Sequence, residues 1–227
     1  MWEELRHQPV SAVDAAAVAE ATMRRVARNV DVVVDRLGAA DWRWAFPEHL
    51  RQAPTDADLR VITAIENRLG PLPVALRACL MHVGEVCLCG TLPGWEPPWY
   101  GFDDLGTYPV MGDPLVLPHA VEMTEDWPSW MAGDVAGPGS DDGVEPERLC
   151  LFAPDELHKA GISGGDHYLM LSAGAADPPL VGVKHREGVT LVEYLRASLA
   201  HGGFATAEFM ATPPSLLAEI SNDLVPF

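Results

Sequence analysis

An apolar stripe runs through residues 11–37, where Val13, Ala16, Met23, Ala27, Val30, Val34 and Leu37 recur at three- and four-residue steps, broken only by Glu20. That period belongs to a helix, so the segment reads as one long amphipathic helix, capped by Ser11 and stopped by Gly38. Arg24, Arg25, Arg28, Asp31, Asp35 and Arg36 occupy its other face. A stripe of this length needs cover. A brace against a core formed by later residues is the ordinary use of such a face, and a coiled-coil partner is the other. The reading divides the chain into a helical extension over residues 1–50, packed on the core, and a main domain over residues 51–227.

The remaining segments follow from their own punctuation. Trp42, Trp44 and Phe46 make residues 41–51 an aromatic connector that seals the junction. Thr55 followed by Asp58 signals a helix start, and Leu59, Ile62, Ile65 and Leu69 form the buried edge of that helix up to Gly70. Pro73 suits the first turn of a short helix reaching Val83. Residues 86–89, between Gly84 and Gly90, read as a strand, and residues 115–117, 149–152, 167–171 and 180–184 as further strands. A helix over residues 190–201 is stopped by Gly202 and Gly203, and a last one covers residues 215–222. Helices, then strands with irregular connections, then helices again define an α+β fold: a mostly antiparallel or mixed sheet flanked by helices. Residues 132–147, with four Gly, two Pro and several acids, read as an acidic surface loop.

Charge is distributed unevenly along this frame. Between Arg77 and Arg148 lie seventy residues without a Lys or Arg, and they carry thirteen of the 33 carboxylates. The net charge is −18, and everything outside the stretch contributes only −5 of it. A field of one sign repels phosphates and attracts cations or basic proteins, which argues against nucleic acid and anionic membranes as partners. Trp95, Trp99, Tyr100, Trp127 and Trp130 lie in the same stretch. Charges speed encounter and buried rings supply affinity, so a basic protein is the expected partner. Trp95, Trp99 and Tyr100 are the expected anchors, and Asp103, Asp104, Glu122, Glu125 and Asp126 the complementary charges. The plainer use of such a stretch is a solvated face.

The start, Met1-Trp2-Glu3-Glu4, has neither a basic n-region nor an apolar h-region, and no apolar run approaches the roughly 20 residues that span a bilayer. With Cys79, Cys87, Cys89 and Cys150 set among apolar neighbours, the expectation is a cytoplasmic protein with reduced, buried thiols.

Catalytic patterns fail on context. Gly161-Ile162-Ser163-Gly164-Gly165 matches the nucleophile-elbow spacing, with His158, Asp166 and His167 beside it. The elbow requires a strand before the serine and a helix after it, and here the order is reversed. Hydrolytic or tailoring chemistry by His158, Ser163, Asp166 and His167 is the alternative reading, and an intracellular regulatory scaffold is another. Cys79, His82, Cys87 and Cys89 fall within eleven residues, but Cys87 and Cys89 have the alternate spacing of a strand rather than that of a zinc knuckle. Phosphate-binding glycine loops are absent. No cofactor, metal or catalytic residue is expected.

The most specific part of the sequence is an ordered set near its C-terminal end: Pro154, His158-Lys159-Ala160, Ser163-Gly164-Gly165, Tyr168, Asp177-Pro178, Tyr194-Leu195-Arg196 and Gly202-Gly203-Phe204. Upstream stand Ile65-Glu66, Leu69-Gly70, Leu72-Pro73, Leu76-Arg77, Val83-Gly84, Trp95 and Asp113-Pro114-Leu115-Val116. Over residues 56–204 this set resembles bacterial members of the SUKH superfamily, the Smi/Knr-like domains. The resemblance implies a single non-catalytic α+β domain whose bacterial members are mostly immunity proteins that bind and block a cognate toxin, often a nuclease. Residues 1–50 and the loop at 132–147 lie outside it, and Gly202-Gly203-Phe204 continues as Ala205-Thr206 where a Pro-Gly is expected.

Overall fold

The computed structural model describes residues 12–91, 113–121, 149–153, 167–171, 176–181, 183, 186, 188–205, 207 and 215–227. Among these the elements are α1 (Ala12–Ala39), β1 (Arg43–Trp44), a 3-10 turn (Pro47–His49), β2 (Arg51–Gln52), α2 (Asp56–Leu69) and α3 (Val74–His82). There follow β3 (Glu85–Cys87), β4 (Gly90–Thr91), β5 (Val116–Leu117), β6 (Leu149–Ala153), β7 (His167–Met170), β8 (Leu180–Val181), α4 (Leu191–Ala200) and α5 (Ser215–Ser221). The fold is α+β, and every strand pairing among the described residues is antiparallel. Among the described residues the strands form three small sheets, β1–β4, β2–β3–β5 and β6–β7–β8, rather than one.

Helix α1 is buried along Ala19, Met23, Val26, Val30, Val33 and Leu37, all fully inaccessible. The expected stripe is therefore rotated. Ala16 is exposed, and Ala27 and Val34 lie half-buried on the flank. Gly38 is not a stop: the helix runs on to Ala39 and is ended at Asp41, whose φ of 60° leaves the helical region. The buried edge packs chiefly on α3 and also meets α4 and α5. Its residues join Ile62, Leu76, Leu88, Leu117, Leu169, Tyr194 and Ile220 in one continuous apolar core. Polar groups fix the register: Asn29 donates to Val225 O at 2.8 Å and accepts from Val225 N at 2.9 Å. Arg36 donates to Ile220 O at 2.7 Å. Arg51 bridges to Asp31 at 2.7 Å and donates to Val83 O.

Trp42 seals the end of α1, its ring lying edge-on to Phe204 at 5.4 Å and to Trp44 at 6.4 Å. Arg43 and Trp44 then pair with Thr91 and Gly90, so the aromatic connector contains β1 and leads into β2, and Gly90 lies within a strand instead of bounding one. A Cβ on Gly90 would stand 2.2 Å from Trp42 Nε1 and 2.5 Å from Arg43 O, so only glycine fits. Gly203 is constrained twice, by a φ of 98° and by Leu88 Cδ1, which a Cβ would meet at 2.3 Å. Its N–H donates to Ser198 O at 2.7 Å, ending α4, and its carbonyl accepts from Leu115 N at 2.8 Å, joining that helix end to the β5 segment. Of the helix α2 edge, Ile62 and Ile65 are buried, whereas Leu59 is 40% exposed. No helix among the described residues is long and apolar enough to cross a membrane.

Thr190 caps α4 in both directions: Glu193 N donates to Thr190 Oγ1 at 3.4 Å, and Thr190 N donates to Glu193 Oε2 at 3.0 Å. Replacing the hydroxyl leaves a helix-end N–H without its acceptor. Thr190→Ala should therefore lower the unfolding free energy by about 1 kcal/mol in urea titration.

Candidate functional site

Trp95, Trp99, Tyr100, Asp103, Asp104, Glu122, Glu125 and Asp126 lie outside the described residues, as do His158, Lys159, Ser163, Gly164, Gly165 and Asp166. What the structure describes is the frame from which those segments depart. The chain leaves at Thr91 on β4 and returns at Asp113, ahead of β5. It leaves again at Val121 and returns at Leu149 on β6, and a further departure, after Ala153, ends at His167 on β7. Buried carboxylates, each meeting a histidine, stand at or beside several of these points.

Asp58, in the first turn of α2, is 1% exposed. Its Oδ2 accepts from Thr55 N and Thr55 Oγ1, both at 2.7 Å, and its Oδ1 accepts from Val121 N at 3.2 Å. His119 Nδ1 lies 3.0 Å from the same Oδ1. One side chain thus caps a helix and pins the turn from which residues 122–148 begin. Burial pushes the Asp58 carboxyl up; the Thr55 hydroxyl and N–H, the His119 ring and the Val121 N–H together outweigh it and hold the group below its ordinary value of 3.8. A depressed folded-state value stabilises the fold above the unfolded value, and that contribution is lost as pH falls through the folded one. Acid titration of the folded protein should therefore show stability falling below about pH 4. Asp58→Asn should be less stable at neutral pH and have a flatter acid limb, and an unchanged acid limb would contradict this assignment.

Asp113 sits at a φ of 49°, a left-handed conformation that Asp tolerates better than most side chains. Its carbonyl accepts from Ala205 N at 3.0 Å, and its carboxylate Oδ2 accepts from His167 Nε2 at 3.1 Å, both residues being at most 2% exposed. The His167 ring meets Tyr194 of α4 edge-on at 5.6 Å. His167 is thus placed as an interior strut between β7, α4 and the stem of β5. Of the other family-like residues, Tyr168 pairs in β7 with Leu151 and Val181, and Gly202-Gly203-Phe204 forms the α4 stop, Phe204 bridging to Pro114.

The third pair is His49 Nδ1 on Glu85 Oε1 at 2.6 Å. Glu85 is 3% exposed, so it and Asp113 belong to the interior rather than to the acidic surface field. Their burial leaves eleven of the thirteen carboxylates between Arg77 and Arg148 outside the described residues. The sequence pattern held a signal for Glu85, since a carboxylate in a strand otherwise made of Val and Cys needs a buried partner.

Cys79, Cys87 and Cys89 are buried thiols. Among the described residues no group of three or more His, Cys, Asp or Glu side chains is arranged to hold a metal ion. A cavity of about 280 Å³, lined by Asn29, Arg196, Leu199, Ser221, Leu224 and Phe227, lies where residues 224–227 cross α1 and α4. Arg196 there donates from Nε to Phe227 O at 2.7 Å, and its guanidinium lies over the Phe227 ring. Comparison with family models, with curated proteins and with solved structures gives no match.

Proposed function

We propose that this chain is a SUKH-like, non-catalytic protein-binding module that neutralises a basic partner, a nuclease-type toxin, by occluding its working surface. One observation carries the reading: seventy consecutive residues without a Lys or Arg hold eleven carboxylates not assigned to the interior, interleaved with Trp95, Trp99, Tyr100, Trp127 and Trp130. A nuclease holds phosphate with Lys and Arg, so carboxylates in that groove act as phosphate mimics while aromatic rings anchor the contact. The stems of this stretch start from a frame held by Asp58, Asp113 and Glu85, which suits recognition from a rigid base. Hydrolytic chemistry by His158, Ser163, Asp166 and His167 is the weaker reading, because His167 is buried and spends Nε2 on Asp113.

Co-expression with the protein encoded beside this chain's gene tests the proposal. Rescue of growth together with a stable complex supports immunity. A complex with a harmless basic protein would move the reading to a regulatory scaffold, and neither rescue nor complex would refute the toxin assignment.

A further inference from the structure

Residues 222–227 follow α5 without regular structure, yet side chains hold them at three points along α1 and α4. Arg36 donates to Asn222 O, Asn29 clasps both main-chain polar groups of Val225, and Arg196 donates from Nε to Phe227 O. Asn29 is 2% exposed, so the clasp at Val225 is shielded from water. The segment so fixed does not close on the helices. The cavity of about 280 Å³ remains between them, lined by Leu199 and Ala200 of α4 and by Leu224, Val225 and Phe227 of the tail. No Asp or Glu side chain lines it.

Arg196 is the charged group of this cavity. Its Nε is spent on Phe227 O, and its guanidinium carbon lies 5.9 Å from the centroid of the Phe227 ring. The bond and the ring contact together fix the plane of the group. Among the described residues neither Nη nitrogen has a partner. The end-on pair of donors, which matches the two oxygens of a planar carboxylate, is therefore open. Arg25 adds a second positive charge about one turn before Asn29 on α1.

We propose that this cavity binds a small monocarboxylate whose apolar body is one short acyl chain or one ring. The carboxylate oxygens accept from Arg196 Nη1 and Nη2, and Leu199, Leu224 and Phe227 cover the body. Size sets the class of ligand, since the cavity stands just under the lower end of small-molecule sites, about 300 Å³. Asn29 and Arg36 already hold the tail wall in place, so binding orders little of the chain and costs correspondingly little entropy. The site is separate from the stretch assigned to a protein partner, because none of its lining residues lies between Arg77 and Arg148.

Amide NMR spectra of the full chain, titrated at constant ionic strength with sodium hexanoate, hexanol or hexylammonium chloride, test this. Hexanoate should shift the amides of Leu199, Ala200, Leu224, Val225 and Phe227 together, saturating with a midpoint of roughly 1 mM. Hexanol and hexylammonium share its chain but not its charge, and each should bind about tenfold more weakly or worse. Arg196→Gln should weaken hexanoate by about tenfold. That substitution also removes the bond to Phe227 O, so Ala200→Leu serves as a second variant. Ala200 is an exposed residue of the cavity wall, and a larger side chain there fills the space while Arg196 and the tail anchors remain. Ala200→Leu should likewise lose about tenfold in affinity. Hexanol binding as tightly as hexanoate, hexanoate shifts that never saturate or fall elsewhere, or wild-type affinity in either variant would overturn the proposal.

Discussion

Deleting residues 1–50 is expected to leave the rest of the chain insoluble or partly unfolded. The deletion removes Ala19, Met23, Val26, Val30, Val33 and Leu37, whose side chains are inaccessible in the same core that holds α3, α4 and α5. Burial of that many aliphatic side chains contributes on the order of 10 kcal/mol gross, comparable to the net stability of a whole domain. The loss extends further, because β4 loses its β1 partner, Val225 loses both bonds to Asn29, and Arg51 loses Asp31. Size-exclusion chromatography and a thermal melt by circular dichroism decide the matter. A truncated protein that stays monomeric with an unchanged cooperative melt would show α1 to be a detachable arm.

The second large effect is expected at Asp113. In Asp113→Ala, His167 keeps its burial but loses the acceptor of its Nε2, and leaving one member of a buried pair unpartnered costs about 3 kcal/mol or more. Alanine also tolerates the φ of 49° poorly, which adds about 1 kcal/mol. Asp113→Asn keeps an acceptor oxygen and a side chain suited to that conformation, so it should cost clearly less. Chemical denaturation of the two variants gives the ordering, and an Asp113→Ala protein as stable as wild type would remove the strut from this account.

The helices were legible in the sequence because their signals are local: the Thr55–Asp58 pair, Pro73, and Gly202-Gly203 all act within a turn of the ends they mark. The phase of α1 was not. Ala15-Ala16-Ala17 and Val32-Val33-Val34 offer apolar side chains in adjacent columns, so hydrophobicity alone cannot choose between them. The fold buries Ala15 and Val33. The carboxylate–histidine pairs were invisible for a different reason. His49 and Glu85 are 36 residues apart and Asp113 and His167 are 54 apart, so no periodicity connects them. Glu85 and Asp113 therefore counted as surface acids until the fold placed them inside. The division of the strands into three sheets rests on long-range pairing that no single segment encodes.

The central claim is that the acidic, aromatic stretch recognises a basic protein surface. Its most direct test is the association rate with a partner captured from the source cell, measured across salt concentration for wild type and for a variant carrying Asp103→Asn, Asp104→Asn, Glu125→Gln and Asp126→Asn. Steering by a one-signed surface raises on-rates by about 10-fold to 1,000-fold, and salt screens it. Wild-type association should therefore fall steeply as salt rises. The variant should start about tenfold slower at low salt and depend on salt only weakly. Equal rates and equal salt slopes for the two proteins would contradict the claim.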